Sequence, residues 1–355
     1  MPTSKTYKII GLMSGTSGDG LDIAYCRFTK SNEWDFEILE AETIPFPKQL
    51  EKELFNSHLM SGLDLSILDV AFGKWMGEVT KSFVEKHKIE VQAIASHGHT
   101  VFHQPQKGLS LQIGNGWVMH VTAGIPVIND FRMLDVQLGG QGAPLVPIGD
   151  ALLFSDFDFC INLGGIANIS MDSSGQRKAF DICPFNLLLN HYSKHQGLPF
   201  DEGGKLARSG KIIPIMLEKL NDLPYYRLEG AKSLGREDLA SFFEIMESVK
   251  DTGANDKLRT IIAHAVIQIK KTISKGEGKL LLTGGGAFNT FFVEELKMTL
   301  GENIVIPQAD ASLINFKEAL IFAFLGVLRL RNENNCLASV TGATKDSCGG
   351  MMYGV

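Results

Sequence analysis

Three apolar segments open the chain, each of a length suited to a strand. Residues 7–13 form the first and stop at the polar, glycine-rich SGTSGDG of residues 14–20. Residues 21–28 and 34–44 follow. Two strands joined by a tight glycine loop predict a hairpin. Over residues 63–86 the period lengthens, with Leu65, Leu68, Ala71, Phe72, Trp75, Val79 and Phe83 on one face, which predicts an amphipathic helix. Short strands are expected at 92–96 and 125–129, with a helix over 118–123 between them.

Near residue 130 the chain turns glycine-rich, and QLGGQGAPLVP (137–147) reads as a crossing between lobes. The opening theme then recurs. A strand at 157–163, a turn at Gly164 and Gly165, and strands at 166–171 and 177–182 precede helices at 185–195, 212–221, 236–250 and 256–275. A strand at 279–283 runs into Gly284, Gly285 and Gly286, followed by helices at 288–300 and 316–331. The pattern of strand, glycine turn, two strands and helices therefore occurs twice. It predicts two similar α/β lobes, residues 1–131 with about 335–355, and residues 132–334. A cleft between such lobes is a usual place for a ligand.

Composition narrows the function. The 355 residues suffice for two domains, and 44% hydrophobic with 21% charged residues is globular. A net charge of −6 leaves no broad basic field to recruit nucleic acid or an anionic membrane. An anionic ligand then needs backbone amides, a few cations and a metal ion. No apolar run approaches the roughly 20 residues of a membrane span, and residues 1–7 lack a signal-peptide core. The five cysteines are scattered without CxxC spacing, which speaks against disulfides or a zinc site and for a reducing cytoplasm.

Five segments carry candidate chemistry. GLMSGTSGDGLD (11–22) combines glycines, which expose backbone N–H groups to a phosphate, with hydroxyls and with Asp19 and Asp22, which could hold magnesium through water. The competing reading is a plain hairpin turn; a Walker A loop is excluded because GxxxxGK[ST] is absent. NLGGIANIS (162–170) occupies the matching turn of the second lobe, with Asn162, Gly164 and Gly165 as a second phosphate clamp. LLTGGGAFN (281–289) offers a strand, three glycines and a helix start against which a nucleoside could lie; the dinucleotide fingerprint is not matched. In AFDICPFN (179–186), Asp181 at a strand end could be a general base or a turn-capping residue. SHGHTVFHQP (96–105) carries His97, His99 and His103; metal ligation is less expected than a hydrogen-bonding wall for a sugar, with Thr100, Asp130 and Arg132 contributing. Glu318 opens the last apolar helix, either as a first-turn acid or facing the ligand.

Taken in order, these segments resemble the anhydro-N-acetylmuramic acid kinase family of the actin-like and sugar-kinase superfamily. The resemblance also includes LQIGNG (111–116), INDFRMLDVQLGGQGAPLVP (128–147), DEGGKLARSG (201–210), KEALIFAFL (317–325) and SVTGA (339–343). It implies two ribonuclease-H-like lobes around a central cleft, the actin-like ATPase fold, with ATP and Mg2+ as cofactors. It makes Gly15, Thr16, Ser17, Gly18, Asp19, Gly20, Leu21 and Asp22 the ATP-phosphate segment, and Asp181 the catalytic aspartate. Thr100 and Arg132 match positions near the sugar. The implied reaction is ATP-dependent phosphorylation of 1,6-anhydro-N-acetylmuramic acid with hydrolytic ring opening, in the cytoplasm, and it leaves a homodimer open. The family commonly reads FDTGPGN with an aspartate four residues on; here Ile182, Cys183, Phe185 and Asn190 depart from it. Alternatives are a kinase of another amino sugar without ring opening, a nucleotide-dependent sensor, and an NAD-dependent oxidoreductase, the last opposed by the missing Rossmann fingerprint.

Overall fold

The structure, a computed structural model, describes residues 5–14, 20–173, 175–228, 230, 232–273 and 276–355. The chain forms two compact units, Met1–Phe154 together with Phe316–Val355, and Ser155–Asn315. The first contributes β1 (Lys5–Ser14), β2 (Gly20–Lys30), β3 (Trp34–Pro45), α1 (Lys48–Phe55), α2 (Gly62–His87), β4 (Ala93–Ser96), β5 (His99–Gln104), β6 (Leu109–Ile113), α3 (Gly116–Ala123), β7 (Val127–Asn129), α4 (Met133–Gln137) and α5 (Val146–Leu153). The second holds β8 (Phe159–Leu163), β9 (Ile166–Ser173), β10 (Gln176–Pro184), α6 (Asn186–Lys194), α7 (Lys205–Ser209), α8 (Pro214–Asn221), α9 (Arg236–Ser248), α10 (Ala254–Thr272), β11 (Gly278–Thr283), α11 (Thr290–Leu300) and β12 (Ile304–Val305). Helix α12 (Ala311–Leu330) starts in the second unit and ends in the first, which α13 (Ala338–Thr341) and β13 (Met351–Tyr353) complete.

The two main sheets repeat one plan. Their orders are β13-β7-β4-β1-β2-β3 and β10-β9-β8-β11-β12. In each, an antiparallel three-strand meander is joined through its first strand to two parallel strands. β13 adds one antiparallel strand beside β7. Two such ribonuclease-H-like units in one chain make the actin-like ATPase fold expected from the sequence.

Alternation along β1 decides what covers its faces. Ile10 and Leu12 join Phe72 and Met76 of α2 in one core. Gly11, between them, faces α12 so closely that a Cβ there would lie 1.9 Å from the Ala319 carbonyl oxygen. At Gly326, a Cβ would lie 2.7 Å from Cβ of Ala95 in β4. Helix α12 therefore lies flat on the face opposite α2. By length and composition it would suffice to cross a membrane, which corrects the expectation that no run comes near that length, yet 67% of its apolar window is buried here. Lys317 within it is buried and paired with buried Asp150 of α5 at 2.7 Å.

Two further expectations are corrected. The last long helix starts at Ala311 rather than residue 316, because the Asp310 carboxylate accepts the Ser312 N–H at 2.7 Å and turns the chain into the helix. Glu318 is therefore interior to α12, not a first-turn acid. Residues 132–154 and 316–334 belong to the first unit rather than the second. Buried Asp135 explains part of this, since it accepts the Thr341 hydroxyl (2.7 Å) and the Gly142 N–H (2.8 Å), tying the glycine-rich segment to the C-terminal one.

In the second unit, His264 of α10 is fully buried between Tyr226 (2.7 Å) and Asn221 (2.8 Å). Burial pushes its pKa from 6.5 to about 3. The imidazole is neutral when folded and takes a proton only when unfolded, so stability falls as pH drops below about 6.5 and continues to fall toward 3. Between pH 7 and pH 5 the expected loss from this group is about 2 kcal/mol. Denaturant titrations at both pH values should show it, and His264→Gln should flatten it; an unchanged pH slope in that variant contradicts the assignment.

Candidate active site

In the second unit, three segments converge at the carboxyl ends of parallel strands β8 and β11, where open α/β sheets bind ligands. The turn at Gly164 and Gly165 accepts the N–H groups of Asn186 (3.2 Å) and Phe185 (2.8 Å), and Asn186 Nδ2 donates to the Leu163 carbonyl at 3.0 Å. A Cβ at Gly286 would lie 2.4 Å from the Phe185 ring, and one at Gly284, where φ is +77°, would lie 2.5 Å from Asn162 Oδ1. Those two glycines are needed for packing. Gly285 differs: it is exposed, with nothing closer than 3.8 Å to such a Cβ, so its backbone is open to a ligand.

Asp181 lies on β10, next to a register shift in its pairing with β9. Such a bulge re-aims the adjacent side chain. Its backbone is held from both sides, its N–H donating to the Lys232 carbonyl (3.0 Å) and its carbonyl accepting the Tyr225 hydroxyl (2.6 Å). One carboxylate oxygen accepts the Leu234 N–H at 2.9 Å. Burial raises the pKa above 3.8, and the Leu234 N–H partly opposes the rise. A half-buried carboxylate in this state is a stronger base than a surface one. The neighbours that depart from the family pattern, Ile182, Cys183 and Phe185, are buried in the core of this unit.

The first unit carries a separate charged group. Arg132 donates Nε and a terminal nitrogen to His97 Nε2 (3.1 and 2.9 Å) and its other terminal nitrogen to the Gly142 carbonyl (2.7 Å). A guanidinium only donates, so His97 Nε2 must accept, and its proton resides on Nδ1, which donates to the Gly98 carbonyl at 2.9 Å. Burial, then the Arg132 charge, hold His97 well below its ordinary pKa. Burial also pushes Arg132 down to about 10, against the pull of Glu318. Burial raises Glu318; Lys317 lowers it, Asp22 raises it and Arg132 lowers it, so each of these three charges lies within electrostatic reach of Glu318.

Of the other expected residues, Gly15, Thr16, Ser17, Gly18 and Asp19 lie outside the described residues. Gly20 packs on the Ile44 carbonyl, and the Leu21 side chain is core, so both can offer only backbone to a ligand. Asp22 accepts the Thr43 hydroxyl at 2.6 Å. Thr100 is exposed on β5 and accepts from Gln112 at 3.3 Å. Asp130 follows β7 with φ +55°. The three histidines do not converge: His99 meets Ser14 at 3.3 Å and His103 meets Ser110 at 3.1 Å. Among the described residues, no cluster of three His, Cys, Asp or Glu could hold a metal directly.

Sequence reading missed Leu234 and Tyr225 as supports of Asp181, and the Lys317–Asp150 pair. The second had a partial signal: Asp150 is the one charged residue of the apolar α5 run and needs a buried partner, but α12 offers Lys317, Glu318 and Arg329, among which the sequence does not choose. The first had none, since its donors come from an irregular segment more than forty residues downstream.

The family model for anhydro-N-acetylmuramic acid kinase matches residues 7–354. An anhydro-N-acetylmuramic acid kinase from Sulfurovum sp. is 35% identical, covering 98% of this chain and 99% of its own. One from Sulfurimonas denitrificans is 32% identical, covering 97% and 98%. Among solved structures, the activator of the 2-hydroxyisocaproyl-CoA dehydratase from Clostridium difficile with bound ADPNP is 12% identical at a TM-score of 0.43, covering 91% of this chain and 97% of that one. With a match that runs from the first strand to the last, the chain belongs to the anhydro-N-acetylmuramic acid kinase family.

Proposed function

We propose that the chain transfers the γ-phosphoryl group of ATP to 1,6-anhydro-N-acetylmuramic acid and opens the anhydro ring in the same reaction, giving N-acetylmuramic acid 6-phosphate and ADP. The observation that carries this is Asp181, a carboxylate held at a strand bulge by one backbone N–H with a burial-raised pKa. Asp181 takes a proton from water as the water oxygen bonds to the anomeric carbon. The bond from that carbon to the bridging oxygen breaks, and the released oxygen bonds to the γ-phosphorus as ADP leaves. Attack opposite the leaving oxygen follows the logic of an inverting glycosidase.

In the second unit, backbone at Gly164 and Gly165 would meet the ATP phosphates and the open backbone at Gly285 the nucleoside. Arg132 and Thr100 hold the sugar, with Glu318 beside Arg132. Magnesium would neutralise phosphoryl charge; Asp22 fits it only through water, given the absence of a three-ligand cluster among the described residues. Because Ile182, Cys183 and Phe185 are buried in the core, their departure from the family pattern alters packing rather than a ligand-facing wall, which favours the family's sugar. The reaction belongs in the cytoplasm, where ATP is available.

Arg132→Lys retains a charge but loses the fork spanning His97 and Gly142. It should raise KM for the sugar about tenfold, the worth of one charge-assisted hydrogen bond, with KM for ATP nearly unchanged. Equal rises in both would remove Arg132 from the sugar site. The ring-opening step is tested by running the reaction in heavy-oxygen water. The label should enter the sugar and not the phosphate; label in the phosphate would indicate plain ATP hydrolysis and overturn the mechanism.

A further inference from the structure

We propose that Lys232 is a positioning residue for Asp181: its ammonium clasps Tyr225, and the two residues together hold both backbone groups of the aspartate. This rests on the reading of Asp181 as the general base. The Tyr225 hydroxyl donates to the Asp181 carbonyl at 2.6 Å, and the Asp181 N–H donates to the Lys232 carbonyl at 3.0 Å. Tyr225 and Lys232 also meet each other. Lys232 Nζ lies 4.7 Å from the centre of the Tyr225 ring and donates to the Tyr225 carbonyl at 3.4 Å. It donates to the Leu228 carbonyl at 3.4 Å as well, with the Tyr226 and Phe180 rings at 5.9 and 6.0 Å. Hydrogen bonds of 3.4 Å are long, so the ring faces carry much of the attraction.

A surface lysine ordinarily keeps its ammonium in water. Lys232 is half-buried and turned over three rings instead, and burial lowers its pKa. Carbonyl oxygens and aromatic faces replace the lost hydration. Two residues further on, the Leu234 N–H donates to the Asp181 carboxylate at 2.9 Å, while the Leu234 side chain sits in the core of the second unit. The clasp therefore bears on the N–H, the carbonyl and one carboxylate oxygen of Asp181.

Lys232 acts through this geometry rather than through its charge. Burial first, and then the Leu234 N–H, set the Asp181 pKa. The other titratable groups around Asp181 do not replace the clasp. Burial pushes Cys183 up to about 12 and lifts Tyr225 above its ordinary range, so both stay protonated near neutral pH. Asp238 accepts the Gly235 N–H at 2.8 Å.

The test compares Lys232→Met, Lys232→Arg and Asp181→Asn with the parent chain, in steady-state kinetics with magnesium-ATP and 1,6-anhydro-N-acetylmuramic acid across pH. Methionine keeps an apolar stem and removes the charge. It should lower kcat about tenfold through misplacement of the base, with KM for both substrates within about twofold of the parent. With the Leu234 N–H loosened, the acid limb of kcat should move up by roughly half to one pH unit. Arginine keeps a cation over the rings and should restore most of kcat and the parent limb. A variant that is merely less stable keeps the parent limb at temperatures where it stays folded. Parent-like kcat in Lys232→Met, an unmoved acid limb, or an arginine variant as impaired as the methionine one would each overturn the clasp, while an inactive Asp181→Asn leaves the general base standing. Near-normal turnover in Asp181→Asn would remove the general base, and the clasp with it.

Discussion

Replacing Asp181 by Asn is expected to lower turnover about 100-fold or more while ATP binding is retained, the scale of a lost general base. The amide has the shape of the carboxylate, and its oxygen can still accept the Leu234 N–H that Asp181 accepts at 2.9 Å. Packing around the bulge is therefore preserved, and the defect should appear in kcat and kcat/KM together. The pH profile provides a second reading. Asp181 must be ionised to accept a proton, so activity should fall on the acid side. Because burial raises the carboxyl above 3.8, that limb should lie above the ordinary aspartate range. A variant with near-normal turnover, or an acid limb at the unperturbed value, would remove Asp181 from the chemistry.

Gly11→Ala should be the most damaging small substitution in the first unit. The new methyl would lie 1.9 Å from the Ala319 carbonyl oxygen and 2.8 Å from its carbon, both backbone atoms of α12. No side-chain rotation relieves such a contact, so the helix must lift from the sheet. The expected cost is about 3 kcal/mol or more, a fall in melting temperature of roughly 6–12 °C for a unit of this size. Lifting α12 also moves Lys317 and Glu318, so KM for the sugar should rise with the instability. Gly62→Ala is the control: nothing lies within 4 Å of a Cβ at that helix start, and it should be neutral or stabilising by up to about 1 kcal/mol. If Gly11→Ala melts within about 2 °C of the parent chain, the close approach of α12 to β1 is wrong.

Much of the fold was legible because its strands alternate or run apolar between glycine turns. The repeated meander could be read from residues 7–44 and 157–182, and β1–β3 and β8–β10 lie there. What escaped was short or polar. β13 has only three residues and is recognisable as a strand only through its pairing with β7. Helices α4 and α5 sit in a glycine- and proline-rich stretch that local preference marks as a linker. The Asp135 contacts that fold this stretch into the first unit come from residues about two hundred positions away. The glycine turns of the site were visible as composition, but not the reason for each glycine. Gly284 and Gly286 serve packing, while Gly285 leaves backbone open. His97 reads from the sequence as part of a sugar wall; its service to Arg132 depends on a tautomer that the Arg132 and Gly98 contacts together fix.

The central claim is coupled phosphorylation and ring opening, and a coupled ADP-release assay with mass analysis of the product tests it most directly. Purified chain with magnesium-ATP would be compared on 1,6-anhydro-N-acetylmuramic acid, free N-acetylmuramic acid, N-acetylglucosamine and glucose. The account predicts ADP release with the anhydro sugar alone and a product heavier by phosphate plus water. A product heavier by phosphate without water, preference for another sugar, or no sugar-stimulated ADP release would contradict it.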